Sequence, residues 1–269
     1  MTSLHSHASL LVRRCGTVLL ALLLLSSQAA AAAEPYVAAA ADLKFALPEI
    51  ADAFARETGR KLKLSFGSSG NFARQIPQGA PFELFFSADE EYARRLAEQG
   101  RTEGPGKPYA VGRIAVFAAK GSPVKADSQL GDLAAALRDG RLKHLAIANP
   151  EHAPYGRAAA QALRHAGLWE PLQGKLALGE NAAQAAQFAA SGSAQAGIVP
   201  YSLALAAEMA RTGTFALIQE DWHAPLRQRV VLLKGAGETA RMFYDYLDRP
   251  AVAGILRRYG FGLPQGAGR

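Results

Sequence analysis

From Tyr36 onward, short apolar runs leaning towards β structure alternate with longer alanine-rich stretches of helical spacing. That alternation is the signature of α/β layering with a mostly parallel sheet. The spacing predicts strands over Tyr36–Ala40, Leu62–Phe66, Leu84–Phe86, Ile114–Ala118, Leu145–Ala148, Gly197–Val199 and Arg229–Leu233. Leu43, Leu47, Ile50 and Phe54 recur at intervals of four, three and four, which puts one apolar stripe against a sheet. Pro48 lies inside that stretch and predicts a kink or an irregular first turn. Ala240, Phe243 and Leu247, then Val252, Ile255 and Tyr259, predict two closing helices parted at Arg249-Pro250. There is no repeat of fixed period and no Pro- or Ser-rich tether between domains. Two lobes would therefore need ordered crossings, placed near Ala110–Ala118 and Gln219–Val231. This divides the chain into residues 34–112 with 226–269 as a discontinuous first lobe, and residues 113–225 as a second.

The first 33 residues read differently. Arg13 and Arg14 precede the apolar run Val18–Leu25, then Ser26, Ser27 and a string of alanines. A charged start, a short apolar run and an A-x-A site form a secretory signal peptide, with cleavage expected after Ala33. The run is too short to span a bilayer, which takes roughly 20 apolar residues. Cys15 follows Arg14 rather than a small residue, so it does not fit a lipid-attachment cysteine, and cleavage leaves a chain without cysteine. Such a chain has no disulfide and no thiolate chemistry even in a periplasm that permits them. About 235 residues suffice for one large domain or two smaller ones held by apolar burial. The 30 Lys+Arg against 23 Asp+Glu give +7, which becomes +5 once Arg13 and Arg14 are removed. This mild excess helps attract anions, but no dense basic run or basic-aromatic interleaving points to nucleic acid.

The chemistry-bearing feature is a recurring junction in which an apolar strand ends in small or hydroxyl residues and a helix begins at once. Five stretches fit: Ala41-Asp42, Gly67–Gly70, Ser87–Asp89, Asn149–Gly156 and Gly179–Ala182. In α/β sheets ligands bind beyond the carboxyl ends of strands. A helix N-terminus there offers free N–H groups and a partial positive charge, so several converging on one point make an anion site. Small side chains let backbone N–H groups approach an oxygen closely, and serine adds a hydroxyl donor. None of the five junctions contains Lys or Arg, as suits a dianion held by neutral dipoles. Each junction also has a plainer reading, since Ser, Asp and Asn before helices are commonly N-caps and glycines commonly reverse the chain. Asp42 and Asp89 are natural caps, and Tyr155 fits ordinary packing. His144, His152, His165 and His223 lack metal-ligand spacing and read as solvated or structural.

These segments resemble the molybdate-binding proteins of bacterial ABC transporters. The resemblance rests on AAAADL (38–43), FGSSG (66–70), ARQI (73–76), GAP (79–81), FFSAD (85–89), NPEHAPYG (149–156), YDYL (244–247) and RYGF (258–261). It implies a two-lobed periplasmic binding protein of the Venus-flytrap, type II-like kind, with a cleft between its lobes. Such a protein would bind molybdate, and tungstate with it, as a free oxyanion and deliver it to an inner-membrane permease. It would be a monomer, with no cofactor, no nucleic-acid partner, no resident metal and no enzymatic step. Carried over by position, the oxyanion shell is Asp42, Ser69, Ala88, Tyr155 and Ala182. Ser69 would give hydroxyl and N–H, Ala88 and Ala182 their N–H groups, and Tyr155 a phenolic or backbone donor.

Two departures mark this chain. Relatives often carry Ser or Asn where Asp42 stands, and a carboxylate facing a dianion at short range is repelled by several kcal/mol. Asp42 is therefore expected to turn its carboxylate away as an N-cap and to offer only its N–H. Pro200 stands where some relatives place tyrosine and has neither N–H nor phenol, which leaves Tyr155, or secondarily Tyr201, to supply that donor. The competing readings are another tetrahedral oxyanion, sulfate or phosphate, and a periplasmic serine hydrolase. Phosphate keeps a proton at neutral pH and needs an acceptor, for which Asp42 would serve. A hydrolase using Ser69 needs a base in reach, and the G-x-S-x-G, S-x-x-K and H-E-x-x-H patterns are all missing.

Overall fold

The computed structural model describes residues 34–264; the expected leader, 1–33, lies outside the described residues. Ten strands form two five-stranded sheets, each flanked by helices, and these are the two lobes. The strands are β1 (Tyr36–Ala40), β2 (Lys63–Gly67), β3 (Phe82–Ser87), β4 (Lys107–Gly112), β5 (Ile114–Ala119), β6 (Leu145–Ala148), β7 (Leu176–Gly179), β8 (Ala196–Pro200), β9 (Gly213–Leu217) and β10 (Leu226–Leu232). The helices are α1 (Ala46–Thr58), α2 (Ser69–Gln75), α3 (Glu90–Glu98), α4 (Gly131–Arg138), α5 (Pro154–His165), α6 (Ala182–Ala190), α7 (Tyr201–Ala204), α8 (Ala207–Ala210), α9 (Glu238–Tyr246) and α10 (Pro250–Arg258).

The first sheet has the order β2-β1-β3-β10-β4 and the second β7-β6-β8-β5-β9. Both are built alike. β2-β1-β3 and β7-β6-β8 are parallel, whereas β10 and β5 pair antiparallel with both of their neighbours. The expectation of a mostly parallel sheet thus holds for only half of each sheet. The strands that receive the chain after each crossing, β5 after β4 and β10 after β9, run against the direction of the βαβ core, whereas β4 and β9 run with it. The first crossing is short, since β4 ends at Gly112 and β5 begins at Ile114, and the second runs through residues 218–225, which include the 3-10 turn Glu220–Trp222.

Three strands had no counterpart in the sequence pattern, β4, β7 and β9, and all three are edge strands. An edge strand is paired on one side only and is short or solvated, so its pattern is weak. β4 carries Pro108, which removes a ladder donor and is tolerated at such an edge.

The parallel cores show why these sequences fold as they do. Val37 to Ala39 in β1 are completely buried, as expected for a strand covered on both faces. Leu47, Ile50 and Phe54 of α1 are at most 1% exposed and face that sheet. Pro48 sits in the first turn of α1, where its missing N–H has no partner to lose. Phe54 meets Phe243 of α9 edge-on with ring centroids 5.2 Å apart. In the second lobe Ile114, Leu145, Ile147 and Leu163 form the buried centre. Burying each such side chain contributes about 1.5–3 kcal/mol. Alanine-rich α6 packs tightly there, since a Cβ on Gly179 would come within 2.6 Å of the Ala185 nitrogen.

Candidate functional site

Parallel pairing places the junctions side by side. Ala40 at the end of β1 is in register with Gly67 at the end of β2, and Ala39 with Phe86 of β3. With strands about 4.8 Å apart, the turns holding Asp42, Ser69 and Ala88 crowd one sheet edge. In the second lobe β6 and β7 are likewise in register, Ala148 with Gly179, and they lead to Tyr155 and Ala182. Asp42, Ser69, Ala88, Tyr155 and Ala182 are all at most 5% exposed. Ala88, Tyr155 and Ala182 join Ala40, Ala41, Ala148 and Ala153 in one contiguous buried cluster that spans both lobes.

The polar contacts across this seam are specific. The Tyr155 hydroxyl donates to Asp42 Oδ2 at 2.9 Å, and Gln228 Nε2 donates to the same oxygen at 2.6 Å. Gln228 Oε1 accepts from the Tyr109 hydroxyl at 2.6 Å. Ser202 of α7 donates to the Asp42 carbonyl at 2.8 Å. On the neighbouring junction, the Ala88 N–H donates to Ser69 Oγ at 3.0 Å. Ser68 Oγ and the Gly70 N–H both donate to the carbonyl of His152, at 2.5 and 3.0 Å. At the rim Arg157 of α5 bonds Asp89 and Tyr92, beside a cavity of about 150 Å³ lined also by Ala88, Pro154 and Leu226.

Two expectations about caps part ways here. Asp89 does cap α3, accepting from the Glu91 N–H at 2.9 Å, and Asn181 caps α6 through the N–H groups of Ala183 and Gln184. Asp42 does not cap a helix. It lies inside a single 3-10 turn, Ala41–Leu43, with no side-chain cap, because Tyr155 and Gln228 offer stronger donors than the turn's own N–H groups. Its carboxylate belongs to the inter-lobe network. Tyr201 makes no such contact; its ring packs on Phe215 and under Arg113.

The electrostatics of this network are unusual. Asp42 is the only Asp, Glu, Lys or Arg among the buried residues of the described chain. Burial pushes its carboxyl up to about 6, against the opposing pull of Gln228, Tyr155 and the N–H groups of Asp42 and Leu43. Its Oδ1 is buried and finds no hydrogen-bond partner. Burial first, and the Asp42 charge second, hold the phenols of Tyr109 and Tyr155 well above the usual tyrosine value, so both remain protonated donors. Among the described residues no cluster of His, Cys, Asp and Glu could hold a metal ion.

Tyr109, Gly112 and Gln228 were not singled out by the sequence pattern, because each lies within or at the end of a strand rather than at a strand-to-helix junction. Gln228 did leave a trace: Leu226, Gln228, Val230 and Leu232 share the buried face of β10, and a glutamine among aliphatics there requires a buried partner. Gly112 is forced by the same network, since a Cβ there would lie 2.2 Å from the Tyr155 hydroxyl.

Residues 35–262 match the family model described as bacterial extracellular solute-binding protein. The molybdate-binding protein ModA of Rhodobacter capsulatus is 38% identical over 92% of this chain and 96% of its own length. That of Azotobacter vinelandii is 40% identical over 86% of this chain and 90% of its own. Among solved structures, the periplasmic molybdate-binding protein of Azotobacter vinelandii superposes with a TM-score of 0.79 at 32% identity, covering 86% of this chain and all of that one. A fold resting on two βαβ sheets, a shared buried seam and these likenesses lead to one assignment: the chain belongs to the family of bacterial extracellular solute-binding proteins.

Proposed function

We propose that this protein captures molybdate, and tungstate with it, as a free dianion and presents it to the membrane permease of an ABC importer. The observation that supports this most directly is the meeting of uncharged donor junctions from both lobes around a buried seam that contains no Lys or Arg. Neutral dipoles fixed in a dry site hold a dianion without an ion pair. Relatives at 38 and 40% identity carry the name molybdate-binding protein. The proposed shell is Asp42, Ser69, Ala88, Tyr155 and Ala182. The Ala88 N–H rests on the Ser69 hydroxyl oxygen, which leaves the Ser69 hydrogen to point at the anion.

The lobes in this reading are residues 34–112 with 226–269, and residues 113–225. They part to admit the anion and close over it, and the closed form is the one the permease reads. The mature chain acts as a monomer in the periplasm after loss of residues 1–33.

Calorimetric titration with molybdate, tungstate, sulfate and phosphate in parallel tests the assignment. Saturable heat with molybdate and tungstate, and none with sulfate or phosphate at matched concentration, is the expected outcome. Tighter binding of sulfate or phosphate would reassign the cargo.

A further inference from the structure

We propose that Asp42 is a neutral carboxylic acid whenever the anion is bound, so that each dianion captured brings one proton from solvent into the cleft. The proposal rests on the oxyanion reading above and adds to it a chemical partner, the proton, and a residue that sets which charge state the site accepts.

The geometry carries the argument. Asp42 is 1% exposed; β10, α5 and α7 bond it directly, β4 reaches it through Gln228, and its turn also packs against α6 and β2, which bring no charged side chain to the network. The polar groups these bring to the network are Tyr109, Gln228, Tyr155 and Ser202, all neutral. No cation compensates the carboxylate, although buried charges are otherwise paired or give up their charge. Oδ2 is doubly satisfied by Tyr155 and Gln228, while Oδ1 is buried without a well-formed hydrogen bond, the N–H groups of Asp42 and Leu43 in its own turn exerting a smaller pull than those two side chains. An unpaired anionic oxygen in a dry site is an unfavourable arrangement; a hydroxyl at the same place is a donor. Asp42 follows β1 at the sheet edge it shares with Ser69 and Ala88, so a dianion held there lies beside this carboxyl.

Charge then decides the protonation state. Burial alone already holds the carboxyl up at about 6. A second negative group nearby disfavours ionisation further, and a proton on Oδ1 converts that repulsion into a donated hydrogen bond. No covalent bond forms: the proton comes from bulk water, stays on Asp42, and the pair enters with a net charge of one instead of two. Sites with neutral Ser or Asn in this position have no such requirement, which gives this chain a pH dependence of its own.

The test is calorimetry of molybdate binding to the intact protein near pH 8 in buffers of different ionisation enthalpy, such as Tris and HEPES. The slope of apparent enthalpy against buffer enthalpy counts protons. Wild type should take up close to one proton per anion, and its affinity should weaken about tenfold per pH unit above the free carboxyl's pKa. Asp42→Asn and Asp42→Ser alter the shell and should change the affinity, but the molybdate binding they retain should show no proton uptake and a flat pH profile. Molybdate binding to wild type with no proton uptake overturns this proposal and leaves the cargo assignment standing. No molybdate binding by wild type at any pH overturns the cargo assignment, and the proposal with it.

Discussion

The phenol of Tyr155, at the start of α5 in one lobe, donates to the carboxylate of Asp42, which follows β1 in the other, across 2.9 Å and 113 positions of sequence. Removing the phenol leaves Oδ2 with Gln228 alone, in a carboxyl that already lacks a partner on Oδ1. Tyr155→Phe is therefore expected to destabilise the protein by about 1–3 kcal/mol, the worth of one hydrogen bond to a carboxylate that keeps its other donor. It should also weaken anion binding. Urea unfolding and calorimetric titration measure the two effects; a phenylalanine variant as stable as wild type would mean that the contact is incidental.

Asp42 also makes stability depend on pH in an unusual direction. Its folded pKa of about 6 lies above the ordinary aspartate value of about 3.9, so over that interval the unfolded chain binds fewer protons than the folded one. Stability contributed by the neutral carboxyl is fully present below pH 4 and is lost as pH rises through about 6. The total is about 3 kcal/mol for a shift of this size. Asp42→Asn should abolish this component, so the variant gains on wild type between pH 4 and pH 6 and the difference levels off above. Denaturant midpoints compared across that range, without ligand, give the answer.

Gly70 sits where the lobes touch. A Cβ there would meet the carbonyl oxygen of His152 at 2.5 Å and the Tyr92 hydroxyl at 2.8 Å. Alanine favours a helix over glycine by roughly 1 kcal/mol, so Gly70→Ala should spare α2 itself while obstructing closure. Molybdate affinity is expected to fall at least tenfold with little loss of secondary structure. Small-angle scattering should then show less compaction on adding ligand than in wild type.

The Asn181 side chain accepts from the N–H groups of Ala183 and Gln184 at 3.0 and 3.1 Å. Asn181→Ala should cost about 1 kcal/mol of stability, the usual worth of an N-cap. Because α6 begins at Ala182, fraying of its first turn should also weaken anion binding. Thermal unfolding with and without molybdate separates the effects, since a ligand bound only by the folded form raises the midpoint by mass action.

Much of this arrangement was legible in the sequence because junctions are local. Ser68-Ser69-Gly70 and Asn149–Gly156 announce strand ends and helix starts by residue type alone, and parallel pairing then brings them together. The α/β class followed from the same alternation. What was hidden is long-range or one-sided. Edge strands β4, β7 and β9 carry weak patterns since one flank has no partner. Gln228 lies 186 positions from the carboxylate it serves, a pairing no local spacing records. The Asp42 side chain was misread as a cap for a related reason: capping is the local solution, and the donors that displaced it come from β10 and α5.

Arg113 alone separates β4 from β5, and both flanking strands are locked into their sheets. A joint of that length has only a few backbone torsions to turn, so the halves can swing about it but cannot slide apart or drift sideways. Small rotations at the joint become large displacements at the far lip, and every return stroke brings the same atoms back into alignment. The tight joint at Arg113 thereby sets the axis, and the longer second crossing, residues 218–225, supplies the length that such a swing takes up.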